Sequence, residues 1–192
     1  MGASQHVSHT ILVLVGPPGV GKKFCTLRLN GNHPMDVEII KTITTQPQRH
    51  IYDSLFYVTL GPEEFQQRVA VDDLLEHDEF AGHQYGIERR GVEATLKQKH
   101  GVVSATPAGA DVLRRSGIPT VTAYLIPTSK TLLEDNLRKK NEDPDRIARM
   151  RKEGGMFDGL PESAFDVVVR VKSLVDAAQE LDEKLRAYMT LR

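Results

Sequence analysis

The chain has a single cysteine, Cys25, among 192 residues. No internal disulfide can form, so stability has to come from packing, and the composition fits a reducing setting. Cys25 is expected to pack on the helix that follows the first glycine-rich loop. A long apolar run is also missing. The leading candidate, Ile11 to Val15, is strand-sized, against the roughly 20 residues that a membrane-spanning helix needs, and membrane insertion is excluded. Neither sign of charge is in excess: 25 Lys and Arg stand against 26 Asp and Glu, a net charge of −1. A polyelectrolyte surface for nucleic acid or anionic lipid is thereby excluded, and any anion must be bound locally. Internal repeats and low-complexity tracts are absent. Residues 1–9 show neither an apolar signal core nor an Arg-rich amphipathic pattern, and read as a flexible terminus. Gly2 suggests myristoylation, but that signal wants Ser or Thr where the chain has His6.

What is present suffices for one core, with hydrophobic residues at 40%. "TILVLVG" is a β-branched and leucine run ending in glycine, the pattern of a buried parallel strand entering a turn. "KKFCTLRLNG" should follow as a helix with Phe24, Leu27 and Leu29 on its packed side, closed by "NGNHP". "GVVSAT", "TVTAYLIP" and "FDVVVRV" are further strand candidates, and "GADVLRRSG" is a helix closed by Gly117. The last helix presents Leu174, Ala178, Leu181, Leu185 and Tyr188 at helical spacing, with Ser173 as N-cap. Strands alternating with helices predict an α/β fold with a parallel sheet flanked by helices. Two regions interrupt it: residues 41–92, with short alternating strands such as "SLFYVTL", and the charged residues 136–160.

"GPPGVGKK" carries the G-x-x-x-x-G-K half of a phosphate-binding loop, where backbone N–H groups cradle phosphate and lysine supplies a point charge. Gly16, Gly19, Val20, Gly21, Lys22 and Lys23 are therefore the candidate phosphate-binding residues. The motif then asks for a Ser or Thr hydroxyl to hold Mg²⁺, and Lys23 stands there instead. His77 and His83 lie close in sequence, but no third ligand has supporting spacing, so no metal site is expected.

"EHDEFAGHQYG" (Glu76 to Gly86), "ITTQPQR" (Ile43 to Arg49) and "FQQRVAVDDLLE" occur in the order found in the guanylate kinase family, and the chain resembles that family over nearly its whole length. The resemblance implies a P-loop sheet with core segments 10–40, 93–135 and 161–192, an NMP-binding insertion over 41–92 and a short lid over 136–160. It also implies that Lys22 and lid arginines, here Arg149 or Arg151, act in phosphoryl transfer. Glu76 matches the carboxylate that accepts from guanine N–H groups, while Arg49, Tyr85 and Gly86 match the GMP phosphate pocket.

Other positions depart from the family pattern. Gln46 replaces a phosphate-binding arginine, Leu55 a tyrosine, and Ile87 a Ser or Thr. Ser104 and Thr106 replace two aspartates, and Asn136 and Lys140 stand where lid arginines are expected. These losses predict weak ATP or ADP binding with little dependence on Mg²⁺, and a pocket made more apolar by Leu55 and Ile87. The functional expectation is a guanylate kinase-like domain, weak or inactive as a kinase, that serves as a protein-binding or scaffolding module with a protein partner. Similar domains occur in scaffolds and in leucine-rich-repeat/guanylate-kinase proteins, which implies a cytoplasmic setting, cytoskeletal or ciliary included. The alternative is an active nucleoside monophosphate kinase that transfers phosphate from ATP to GMP.

Overall fold

The computed structural model describes residues 9–139 and 144–191; Lys140 and residues 1–8 of the terminus lie outside them. In chain order, the elements begin with β1 (Ile11–Val15), α1 (Lys22–Asn32), β2 (Val37–Ile39) and β3 (Thr42–Thr44). A short 3₁₀ turn over Ile51–Leu55 leads to β4 (Tyr57–Thr59), α2 (Pro62–Ala70), β5 (Leu74–Phe80) and β6 (His83–Glu88). Then come α3 (Arg89–Leu96), β7 (His100–Ser104), α4 (Pro107–Arg115), β8 (Thr120–Pro127) and α5 (Lys130–Arg138). The chain closes with α6 (Pro144–Gly154), β9 (Val167–Val171) and α7 (Leu174–Leu185).

The central sheet has the order β2-β7-β1-β8-β9, and every pairing in it is parallel. Parallel sheets must be covered on both faces, which is why β1 is apolar at every position. Leu12 and Leu14 join a core with Cys25 and Leu29 of α1 and Leu181 and Leu185 of α7. Ile11, Val13 and Val15 point the other way and pack with Val92 of α3 and Leu113 of α4. At about 1.5–3 kcal/mol for each fully buried Leu, Ile or Val, these two layers dominate the favourable side of folding.

The helix of "KKFCTLRLNG" forms where expected, and Phe24 and Leu29 pack with Cys25 against the core, but Leu27 is 40% exposed. Cys25 and Leu29 are four apart and share a face, whereas Leu27 falls about 200° round from Cys25. Ser173 caps α7 by accepting from Asp176 N at 3.1 Å. Tyr188 lies past the end of α7 and is exposed. Of "SLFYVTL", only Tyr57–Thr59 is strand, because Ser54 and Leu55 belong to the 3₁₀ turn.

A second sheet, β4-β3-β6-β5, faces the carboxyl ends of β1, β2 and β7 across a shared cavity. It is a mixed sheet, with β3 and β4 parallel and β6 antiparallel to both β3 and β5. Its own small core is Ile43, Phe65 and Leu74. The charged segment docks against its tip: Leu137 and Met150 pack on Ala81, and the Ala81 N–H donates to the Glu153 carboxylate.

Candidate functional site

The glycine-rich loop joins β1 to α1 and turns on left-handed residues. Gly21, at φ 108°, is the N-cap of α1 and gives no side-chain cap to its first N–H groups. Gly19, at φ 84°, lies so close to α5 that a Cβ there would come within 2.8 Å of the Leu133 carbonyl oxygen. Asn136 of α5 fastens the same point by donating to the Gly19 carbonyl at 2.9 Å. Lys22 Nζ donates to the carbonyls of Gly16 and Pro17 and stands 5.8 Å from the Phe157 ring. The ammonium is thus held over the loop it would share with a phosphate. Val20 contributes only backbone, its side chain being buried in the core.

From the loop a cavity opens towards the second sheet, lined by Gly19, Gly21, Lys22 and Lys23 on one side and by Arg49, Glu76 and Tyr85 on the other. Glu76 and Asp78 face it together because alternate residues of β5 share a face, while His77 and Glu79 point to solvent. Burial and the neighbouring Asp78 charge push the Glu76 carboxyl up to about 7. Gly109 of α4 lies against Glu76 so closely that a Cβ would collide with the Glu76 carboxylate. Thr106 orders the adjoining corner: its hydroxyl donates to Asp78 Oδ2 at 2.6 Å and accepts from Gly109 N at 3.1 Å.

At the other edge of the second sheet the lining changes sign. Tyr85 O–H donates to Gln46 Oε1 at 2.7 Å, and its ring lies 6.2 Å from that of Tyr57. Lys23 reaches across from α1 to donate to Asp53 Oδ1 at 2.6 Å. Its ammonium sits 4.5 Å from the Tyr57 ring centre and 5.1 Å from that of Phe56. Asp53 also accepts from the backbone N–H groups of Arg49 and His50. Burial alone would raise the Asp53 carboxyl, but the Lys23 ammonium and those two N–H groups outweigh it and hold it below the ordinary carboxylate range.

The structure brings Gly19, Gly21, Lys22, Lys23, Arg49, Glu76 and Tyr85 to one cavity. It does not bring the lid arginines there. Arg149 is exposed on α6, and Arg151 pairs with Glu134 at 2.7 Å. Gly86 does not line the cavity; it is buried over Leu74 and Phe65, where a Cβ would meet Leu74 Cδ1 at 2.8 Å. Leu55 and Ile87 do not supply the expected apolar lining: Leu55 is 47% exposed outside the cavity, and Ile87 is wholly buried in the core. Tyr52 and Tyr57 line the space instead. The sequence reading missed Asp53, Tyr52, Tyr57 and Asp78, although the two-residue spacing of Asp78 from Glu76 was a signal for the last.

A parallel α/β sheet with a glycine-rich G-x-x-x-x-G-K loop at its carboxyl edge, facing a second sheet across a cleft, defines a P-loop fold of the doubly wound class. The guanylate kinase family profile matches residues 8–188, and the chain belongs to that family. It is 30% identical over 177 residues to a guanylate kinase of Synechococcus sp. (strain JA-3-3Ab), covering 91% of this chain and 81% of that one. It is 29% identical over 181 residues to a guanylate kinase of Prochlorococcus marinus (strain MIT 9313), covering 94% and 96%.

Among solved structures, guanylate kinase from Anaplasma phagocytophilum superposes with a TM-score of 0.69 at 20% identity, over 96% of this chain and 88% of that one. The SH3-kinase fragment of tight junction protein 3 gives 0.56 at 12% identity, over 98% and 60%. At such identities these likenesses show the fold alone. No helix among the described residues is long and apolar enough to cross a membrane.

Proposed function

We propose that the chain binds ATP at the glycine-rich loop and a purine nucleoside monophosphate, GMP, in the cleft beside it, and transfers the γ-phosphoryl group between them. The observation that carries this reading is the polarity of a single cavity. It runs from the phosphate loop to a carboxylate pair, Glu76 and Asp78, at the β5 edge, and to cations and phenols, Lys23, Arg49, Tyr57 and Tyr85, towards the β4 edge. Carboxylates suit the N–H donors of a guanine, and cations with phenols suit its phosphate.

In the reaction, an oxygen of the acceptor phosphate forms a bond to the γ-phosphorus, the bond from that phosphorus to the β,γ-bridging oxygen breaks, and ADP leaves. Lys22 and the loop N–H groups would hold the donor phosphates, whose developing charge they stabilise. Mg²⁺ would neutralise ATP. The position after Lys22 offers it no oxygen, since Lys23 stands there on Asp53, and no protein ligand is assigned to the metal. Gln46 and the outward-facing lid arginines favour a rate below that of a full arginine set.

A coupled assay of ADP release with ATP, Mg²⁺ and GMP tests the reading. Turnover that requires GMP, and is lost in Lys22→Met and Glu76→Ala, supports it. If the wild type binds nucleotide without turnover, the chain is a binding module with a protein partner instead. The curated relatives lend no support to a cytoskeletal or ciliary placement.

A further inference from the structure

Lys23 occupies the place where a phosphate-binding loop of this pattern has a hydroxyl, yet its ammonium does not stay at the loop. It crosses the cleft to Asp53, with the Tyr57 and Phe56 rings around it. Three features surround that ammonium on the second-sheet side. Arg49 shares Asp53 with it through its backbone N–H at 3.2 Å. The Tyr57 ring connects it to Tyr85, 6.2 Å away between ring centres. Tyr85 in turn holds Gln46, a neutral amide that brings no charge to this wall. The Lys23 side chain is 25% exposed and lines the cavity, while that of Asp53 is 2% exposed. The cation is therefore accessible to a ligand and its carboxylate partner is not.

We propose that Lys23 is a ligand of the acceptor phosphate: a cation delivered from the donor loop to the acceptor side, which Asp53 and the aromatic rings hold in place until a phosphate monoester arrives. This rests on the acceptor reading above. The ammonium has three N–H donors and no acceptor, so it can keep its bond to Asp53 while donating to a phosphate oxygen. Asp53 is a positioning residue; it stays ionised and prevents Lys23 from folding back onto the loop. The arrangement gives Lys23 to the acceptor rather than to the metal side of ATP.

Calorimetry on the full chain with GMP, guanosine and MgADP tests the assignment. GMP and guanosine share a base and differ by the phosphate. Lys23→Met would leave the buried Asp53 charge unpaired, so the double variant Lys23→Met/Asp53→Asn is measured beside it, and Lys23→Arg serves as the conservative control. Loss of one charge-assisted contact should weaken GMP by about 10- to 100-fold. Guanosine and MgADP should change by less than about threefold, and Lys23→Arg should recover most of the GMP affinity.

Equal GMP affinity in the wild type and the double variant overturns the assignment alone. So does a loss of MgADP affinity as large as that of GMP, which would put Lys23 on the donor side. A wild type that binds neither GMP nor guanosine overturns the acceptor reading and this inference with it.

Discussion

Glu76 concentrates the chemistry at the scale of the residue. It is buried, faces Asp78 across one strand position, and titrates at about 7 against an ordinary 4.5. The folded state therefore holds this proton more tightly than the unfolded chain does. Its contribution to stability is fully present below about pH 4.5 and is lost as pH rises through 7. Glu76→Gln should remove that loss, leaving the variant more stable than wild type at pH 8 by about 2–3 kcal/mol, as read from urea midpoints at pH 5 and 8. Binding runs the other way. Guanine N–H groups need the carboxylate, so GMP affinity should rise about tenfold or more between pH 6 and 8 in the wild type and stay flat in Glu76→Gln; a flat wild-type profile would refute this role. Glu76 was singled out by the resemblance of "EHDEFAGHQYG" to its family, and the structure places it on the cavity. The Asp53 contact was not legible, since it joins Lys23 to a residue thirty positions away across a cleft, and no local spacing records such a meeting.

The decisive features among the elements are where the loop meets α5 and where the 3₁₀ turn meets α1. Gly19→Ala would place a methyl group against the Leu133 carbonyl at a left-handed backbone position. The expected cost is about 1–3 kcal/mol of stability, together with loss of the ADP-induced thermal shift; an unchanged shift would show that the loop does not hold the nucleotide. Asp53→Ala removes the acceptor of Lys23, Arg49 N and His50 N at once. It should cost about 2–3 kcal/mol by urea unfolding, and Asp53→Asn less, because the amide oxygen can still accept from the two backbone donors. Of the central sheet, β1, β7, β8 and β9 were readable as apolar runs, whereas β2, three residues with Glu38 in the middle, was not. Leu55 was misplaced because a five-residue 3₁₀ turn has no periodicity that fixes which side chain enters the cavity. The lid arginines were unreadable for a related reason: a short, highly charged helix has several equivalent polar faces, and only its docking on Ala81 selects one.

For the whole molecule, two ligands are expected to occupy one cavity from different ends, so their effects on stability should combine. At 100 times its dissociation constant each ligand adds about 2.7 kcal/mol. ADP and GMP together should therefore raise the melting temperature by about the sum of their separate shifts, by scanning calorimetry. A combined shift no larger than the greater single one would mean that the two compete for the same place. The second sheet was visible in the sequence as an interruption over 41–92 with short alternating strands; its position facing the central strands is a property of the fold.

Cys25 is 1% exposed on the helix that begins at the loop, and burial pushes its thiol up to about 11. A neutral, enclosed thiol does not react until α1 comes away from the sheet. The chain thus carries its own clock for that opening. In the presence of a thiol reagent, the rate of labelling counts how often the first helix detaches, and any ligand seated on the loop slows the count by the factor 1 + [L]/Kd. A single mass-spectrometric time course would then yield nucleotide affinities with no dye, tag or substitution introduced into the molecule.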